Sequence, residues 1–108
     1  MLASTPEPPY VAVIFSSLRS TEDDEGYAAM AQEMERLAPQ QPGYLGIESA
    51  RDREGRGITV SYWRSAEDAK NWGAVADHAY AQRLGRTRWY RAYRVRVAEV
   101  RREYGFSR

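Results

Sequence analysis

Few side chains in this chain are equipped for chemistry. His78 is the only histidine among 108 residues, and there is no cysteine. An imidazole, with an ordinary pKa of about 6.5, takes up or releases a proton near neutrality. The lack of cysteine removes disulfides, thiolate nucleophiles and every cysteine-based metal or iron–sulfur site. A single histidine cannot build a multi-histidine metal cage within one chain. Six residues before His78 stands Trp72, inside the apolar stripe Ala69, Trp72, Val75, Ala76, Ala79. Trp72 therefore fits core packing as well as a pocket wall. Six helical residues rotate His78 about 120° away from it. Glu22, Asp23, Asp24 and Glu25 cluster where a helix begins and suit the positive end of its dipole, not a metal. Glycine-rich phosphate loops, serine-nucleophile motifs and metal-ligand spacings are all missing.

The elements that must position these residues are legible from periodicity. Residues 1–9 carry three prolines and read as a flexible lead-in; residues 10–108 form a single domain. Tyr10 to Leu18 is a strand with apolar side chains on both faces. Ser20 or Thr21 is expected to cap a helix whose stripe is Tyr27, Met30, Ala31, Met34, Leu37, Ala38, ended by Pro39. Gly43 to Asp52 is the second strand, Arg53 to Gly57 a hairpin turn, and Ile58 to Arg64 the third strand. Ser65 caps the second helix, with Asp68 three residues on. Gly73 weakens that helix in its middle, or lets something approach closely. Gly85 is its expected stop. Tyr90 to Arg102 is the last strand, with Tyr93, Val95 and Val97 on one face and Arg94 and Arg96 on the other.

Composition narrows the class. The chain is 43% hydrophobic and 29% charged, which suits one small globular domain. No stretch of about 18 apolar residues could span a membrane, and no signal segment opens the chain, so a cytoplasmic location is expected. Net charge is +1, but residues 1–54 hold four arginines against ten acids and residues 55–108 hold twelve basic groups against five acids. Lys70 is the only lysine, and the arginines form no dense stripe, which argues against nucleic acid. The two halves are instead expected to attract each other, within one subunit or across a dimer. Arg94 and Arg96 are accordingly read as solvated or as paired to acids of the first half.

The element order β–α–β–β–α–β predicts an α+β, ferredoxin-like fold: a four-stranded antiparallel sheet with two helices on one face. Two helices cover one face only, yet strands one and three carry apolar groups on both. A homodimer in which two sheets face each other would hide the second face. Tyr104 and Phe106 in the tail would then reach onto the partner.

Ser61 to Tyr90 reads SYWRSAEDAKNWGAVADHAYAQRLGRTRWY. Its Tyr-Trp-x-Ser, the downstream Trp72, the His-x-x-Ala-Gln from His78, then Gly-Arg and Trp-Tyr, resemble the antibiotic biosynthesis monooxygenase family. Pro42 to Gly46, Pro-Gly-Tyr-Leu-Gly, is similar to that family's second strand. The resemblance implies a dimeric α+β barrel. It also implies one of three roles. The first is a cofactor-independent monooxygenase that oxidises a small aromatic or quinol-type molecule with oxygen. Such an enzyme holds an acidic phenol as its anion and needs an apolar pocket, a proton acceptor and a positive or donor group. Phe15, Tyr27, Met30 and Trp72 are then expected as walls, His78 as proton acceptor, and Tyr62, Arg64 and Arg86 as oxyanion donors. The second role is haem binding or degradation. That branch has an asparagine on strand one, a tryptophan on helix two and a histidine about ten residues later. Trp72 matches, but Gln82 stands at the histidine position and Phe15 and Ser16 replace the asparagine. Haem would have to use His78. The third role is a non-enzymatic dimer that binds a small molecule.

Overall fold

Four strands and two long helices arise in the expected order. The structure is a computed structural model and describes residues 2–83 and 86–108; the expected stop at Gly85 lies outside the described residues. Strand β1 spans Tyr10–Arg19, helix α1 Asp24–Leu37, β2 Tyr44–Arg51, β3 Arg56–Trp63, α2 Ala66–Gln82, α3 Arg86–Trp89 and β4 Tyr90–Val100. The sheet order is β2-β3-β1-β4, antiparallel throughout. This is the ferredoxin-like arrangement.

Local chemistry explains the boundaries. Asp23, not Ser20 or Thr21, caps α1: its carboxylate accepts from the Gly26 N–H at 3.1 Å while its own backbone is left-handed, φ 53°. Aspartate tolerates that conformation better than a β-branched threonine does. Pro39 ends α1 in a single 3₁₀ turn, Ala38–Gln40. Ser65 caps α2 as expected, accepting from the Asp68 N–H at 3.1 Å. The β2–β3 turn is tied by Asp52, whose carboxylate accepts from the backbone of Glu54 and Arg56, both at 2.9 Å. Gly55 supplies the positive φ, 92°.

The pleat divides the side chains. Val11, Val13, Phe15, Thr59, Ser61 and Trp63 point to the helices, and Tyr10, Ala12, Ile14, Val60 and Tyr62 point away. Trp63 is wholly buried and stacks on Trp72 of α2, ring centroids 5.6 Å apart. Removing an aromatic of this size from a core costs about 3–5 kcal/mol. A second cluster joins Met30 of α1 to Trp89 and Tyr90, with Phe15, Tyr27 and Tyr80 packed against it. On the side away from the helices, Ile58 is half exposed beside Ile14, Val60 and Leu18. Tyr104 and Phe106 lie free of the domain, 86% and 87% exposed.

The predicted attraction between the two halves is made in part within the chain. Arg88 lies 4.0 Å from Glu22 and 3.8 Å from Asp23, and Trp89 donates its indole N–H to Asp23 at 3.1 Å.

Candidate active site

Between the helices and the sheet lies a cavity of about 460 Å³, within the size range of small-molecule sites. Its sheet floor comes from the helix-facing parity of every strand: Val13 and Phe15 of β1, Ile47, Ser49 and Arg51 of β2, Thr59 and Ser61 of β3, Tyr93 and Val95 of β4. Its roof is α2, through Trp72, Gly73, Ala76, Asp77 and Tyr80, and one side is α1, through Tyr27, Ala31, Met34 and Glu35. Positions 72, 73, 76, 77 and 80 are the i, i+1, i+4, i+5, i+8 face of one helix. Gly73 is not there for close packing: a Cβ at this position would meet nothing within 4 Å. Its missing side chain leaves cavity volume.

The walls are aromatic and interlocked. Phe15 stacks on Tyr93 at 5.5 Å and meets Tyr90 edge-on at 5.3 Å; Tyr27 meets Tyr90 edge-on at 5.9 Å. Trp72 is held flat against Trp63, whose indole N–H donates to Ser61 Oγ at 2.8 Å.

One corner is polar. Arg86, at the start of α3, lines the cavity and donates from Nη1 to Asp77 at 2.5 Å. Its guanidinium sits 4.2 Å over the Tyr80 ring and 5.1 Å from the Tyr93 ring centroid. Its Nε is buried and has no hydrogen-bond partner among the described residues, an arrangement that costs stability unless a ligand supplies an acceptor. The Tyr80 and Tyr90 hydroxyls are 3.4 Å apart at the same corner. Burial pushes both phenols above their ordinary pKa, so they stay protonated at neutral pH and can donate to an oxygen. Arg51, on the floor, donates to Ser17 Oγ at 2.8 Å and faces the rings of Tyr27 and Tyr90.

The expected site residues divide. Trp72, Phe15, Tyr27 and Arg86 come together around the cavity. Met30 is fully buried behind it, in the core with Trp89 and Tyr90, and does not line it. His78 is exposed on the outer side of α2, because the buried stripe runs through Ala69, Trp72 and Ala76. Tyr62 points to the opposite sheet face, where its hydroxyl donates to Glu48 at 2.8 Å; burial and that carboxylate raise its pKa to about 12. Arg64 is exposed beyond the end of β3. Asp77, Tyr80, Tyr90, Tyr93 and Arg51 were not anticipated. Tyr80 was within reach, since it continues the Trp72, Ala76 spacing by one more turn.

The comparisons with known proteins come to bear on this geometry. Residues 9–84 match the family model described as antibiotic biosynthesis monooxygenase. The chain is 53% identical over 106 residues to the uncharacterized protein YqjZ of Bacillus subtilis, covering 98% of this chain and 92% of that one. Among solved structures, protein SO0527 from Shewanella oneidensis is similar with a TM-score of 0.71 at 14% identity, over 85% of this chain and 91% of that one. SnoaB, a cofactor-independent oxygenase from Streptomyces nogalater, is similar with a TM-score of 0.68 at 12% identity, over 89% and 97% of the two chains. At these identities the structural likenesses establish the fold.

Proposed function

The chain belongs to the antibiotic biosynthesis monooxygenase family, and on that footing we propose that its cavity binds a small aromatic phenol as the anion and oxidises it with molecular oxygen. The observation that carries the reading is the buried Nε of Arg86, unpartnered among the described residues, in the wall of a cavity rich in aromatic side chains. A phenolate oxygen at that corner would accept from Arg86 and from the Tyr80 or Tyr90 hydroxyl, in a site where low dielectric strengthens each bond. Phe15, Tyr27 and Trp72 would hold the ring plane. Asp77 positions Arg86, and Asp77 and Glu35 are the carboxylates that line the cavity as proton acceptors. An electron-rich phenolate can pass an electron to oxygen itself. One oxygen atom then replaces a ring hydrogen as a carbonyl and the other leaves as water; loss of that C–H hydrogen and of the phenol O–H proton turns the phenol into a quinone and supplies all the electrons. Likeness to SnoaB, described as a cofactor-independent oxygenase, supports a reaction without a bound cofactor.

The haem alternative depended on His78 as the iron ligand. From the outer side of α2 His78 does not line the cavity, so no step is assigned to it. We also take the functional unit to be a homodimer, since the sheet face away from the helices keeps Ile58 half exposed. The test is oxygen uptake with a polycyclic phenol. Uptake by the parent chain that falls at least tenfold in Trp72→Ala and Arg86→Met supports the site. Uptake unchanged in both variants removes it.

A further inference from the structure

Two cations line the cavity among the described residues, Arg86 and Arg51, and the reading above uses only the first. Arg51 belongs to edge strand β2, from which a long charged side chain ordinarily stretches into water. Here it lies inward across the sheet. Its strand partner is Gly57 of β3, which pairs in turn with Ser17 of β1. Gly57 is buried, and a Cβ at that position would collide with the Arg51 guanidinium. The bare glycine is the space that the guanidinium fills. Nη2 then donates to Ser17 Oγ at 2.8 Å and Nη1 to the Gly55 carbonyl at 2.5 Å. The guanidinium carbon comes within 5.6 Å of the Tyr27 ring centroid and 6.0 Å of the Tyr90 ring centroid, two rings of the cavity wall. No carboxylate pairs with Arg51 among the described residues. The register row that starts at Arg51 runs through Gly57 and Ser17 to Tyr93, and Arg86 sits against Tyr93 at its far end. The two guanidinium groups therefore meet the cavity from opposite edges of the sheet.

Oxidation of a bound phenolate calls for charge in both places. Its first step moves one electron from the phenolate to dioxygen. No bond breaks; the phenolate becomes a neutral phenoxyl radical and dioxygen becomes superoxide. Combination of the two at a ring carbon then forms the C–O bond that precedes the loss of water. Arg86 stabilises the phenolate, so by itself it opposes the transfer, because the negative charge it holds is the one that leaves. A positive group where the electron arrives offsets this. We infer that Arg51 is that group: an electrostatic site for dioxygen as it becomes superoxide, at the β2 edge of the cavity. This assignment rests on the oxidation proposed above and adds the place of the second substrate. Two hydrogen bonds fix the guanidinium before the reaction, so little reorganisation is needed as charge develops.

Kinetics that vary oxygen and the phenol separately test it. Oxygen uptake is followed with α-naphthol, and the phenolate end is followed by anaerobic binding of the dye alizarin. Arg51→Met should lower kcat/KM for oxygen about tenfold or more and leave anaerobic alizarin binding at the parent level. Arg51→Lys keeps the charge without the fork and should recover part of the loss. If Arg51→Met does not fold, Gly57→Ala decides: Gly57 has no left-handed φ, so alanine suits its backbone, and the added methyl group displaces the guanidinium. It should lower the same constant. Three results overturn the inference and leave the oxidation reading standing. One is parental oxygen dependence in the deciding variant. Another is a loss of alizarin affinity that matches the loss of uptake, since Arg51 would then hold the aromatic ligand. The last is an Arg51→Lys variant no better than Arg51→Met, which would make the role structural. A parent chain that consumes no oxygen removes the oxidation reading and this inference with it.

Discussion

Arg86 is the residue on which the chemistry turns. It is charged, flanked by tyrosine rings, tied to Asp77 by one nitrogen and, among the described residues, unsatisfied at another. Arg86→Lys should keep a positive charge but lose the flat, forked donor set, and so lose most of the affinity for a phenolate. Competition binding with a series of phenols would read this as a loss of preference for the anionic members. His78→Ala, on the outer side of α2, should leave oxygen uptake and ligand binding at the parent level; a tenfold fall would return the imidazole to the site. Trp72, Phe15, Tyr27 and Arg86, singled out from the sequence, stand around one cavity. His78 and Tyr62 lie away from that cavity, because a side chain's chemistry is visible in sequence while the face it occupies is not. Periodicity did warn that His78 lies about 120° from Trp72. Arg51 and Tyr93 were hidden for the opposite reason: their strand parity places them on the helix side, but nothing in their type advertised a ligand.

The elements explain how such a pocket persists. Helix α2 forms its roof with a glycine in the middle. Gly73→Ala should raise helix stability by about 1 kcal/mol, or ~4–8 °C in Tm for a domain of this size. The same methyl group intrudes on cavity volume, so binding of a bulky aromatic should weaken while Tm rises. Asp23 links three elements, since it caps α1 and accepts from the Trp89 indole at the α3–β4 junction. The Trp89 bond first, and the Gly26 N–H second, hold its carboxyl below the ordinary range. A depressed carboxyl stabilises the fold above its unfolded pKa and ceases to do so as pH falls through the folded value. Asp23→Asn, which still accepts the left-handed backbone, should therefore lower Tm at neutral pH. The gap to the parent should close in acid, below about pH 4. Equal gaps at both pH values would contradict this role. Long, periodic elements were readable to within a few residues, as β1, α1 and β4 show. The α1 cap was misplaced because three residues within four positions, Ser20, Thr21 and Asp23, are close to equal as caps in type. Helix α3 was missed because four residues carry no period to read.

At the scale of the whole molecule, the two surfaces of one sheet differ in character. The face under the helices floors the cavity, and the opposite face carries an acid-to-arginine row. Apolar groups on both faces of β1 and β3 were legible from sequence; that Glu48 and Arg96 end one register row required the strand pairing. Tyr104 and Phe106, free of their own domain, are expected to rest on the second copy. Replacing both with serine should weaken the dimer without changing the fold, as seen by sedimentation together with circular dichroism. The central claim is that the folded chain encloses an aromatic cavity selective for an anionic oxygen. A visible-absorbance titration with alizarin, a hydroxyanthraquinone whose colour reports its ionisation, tests it most directly. The parent should bind the dye in its ionised, red-shifted form at a pH where the free dye is mostly neutral, and Arg86→Met should abolish that shift. Dye that binds without ionising, or ionises equally well in the Arg86 variant, would contradict the account.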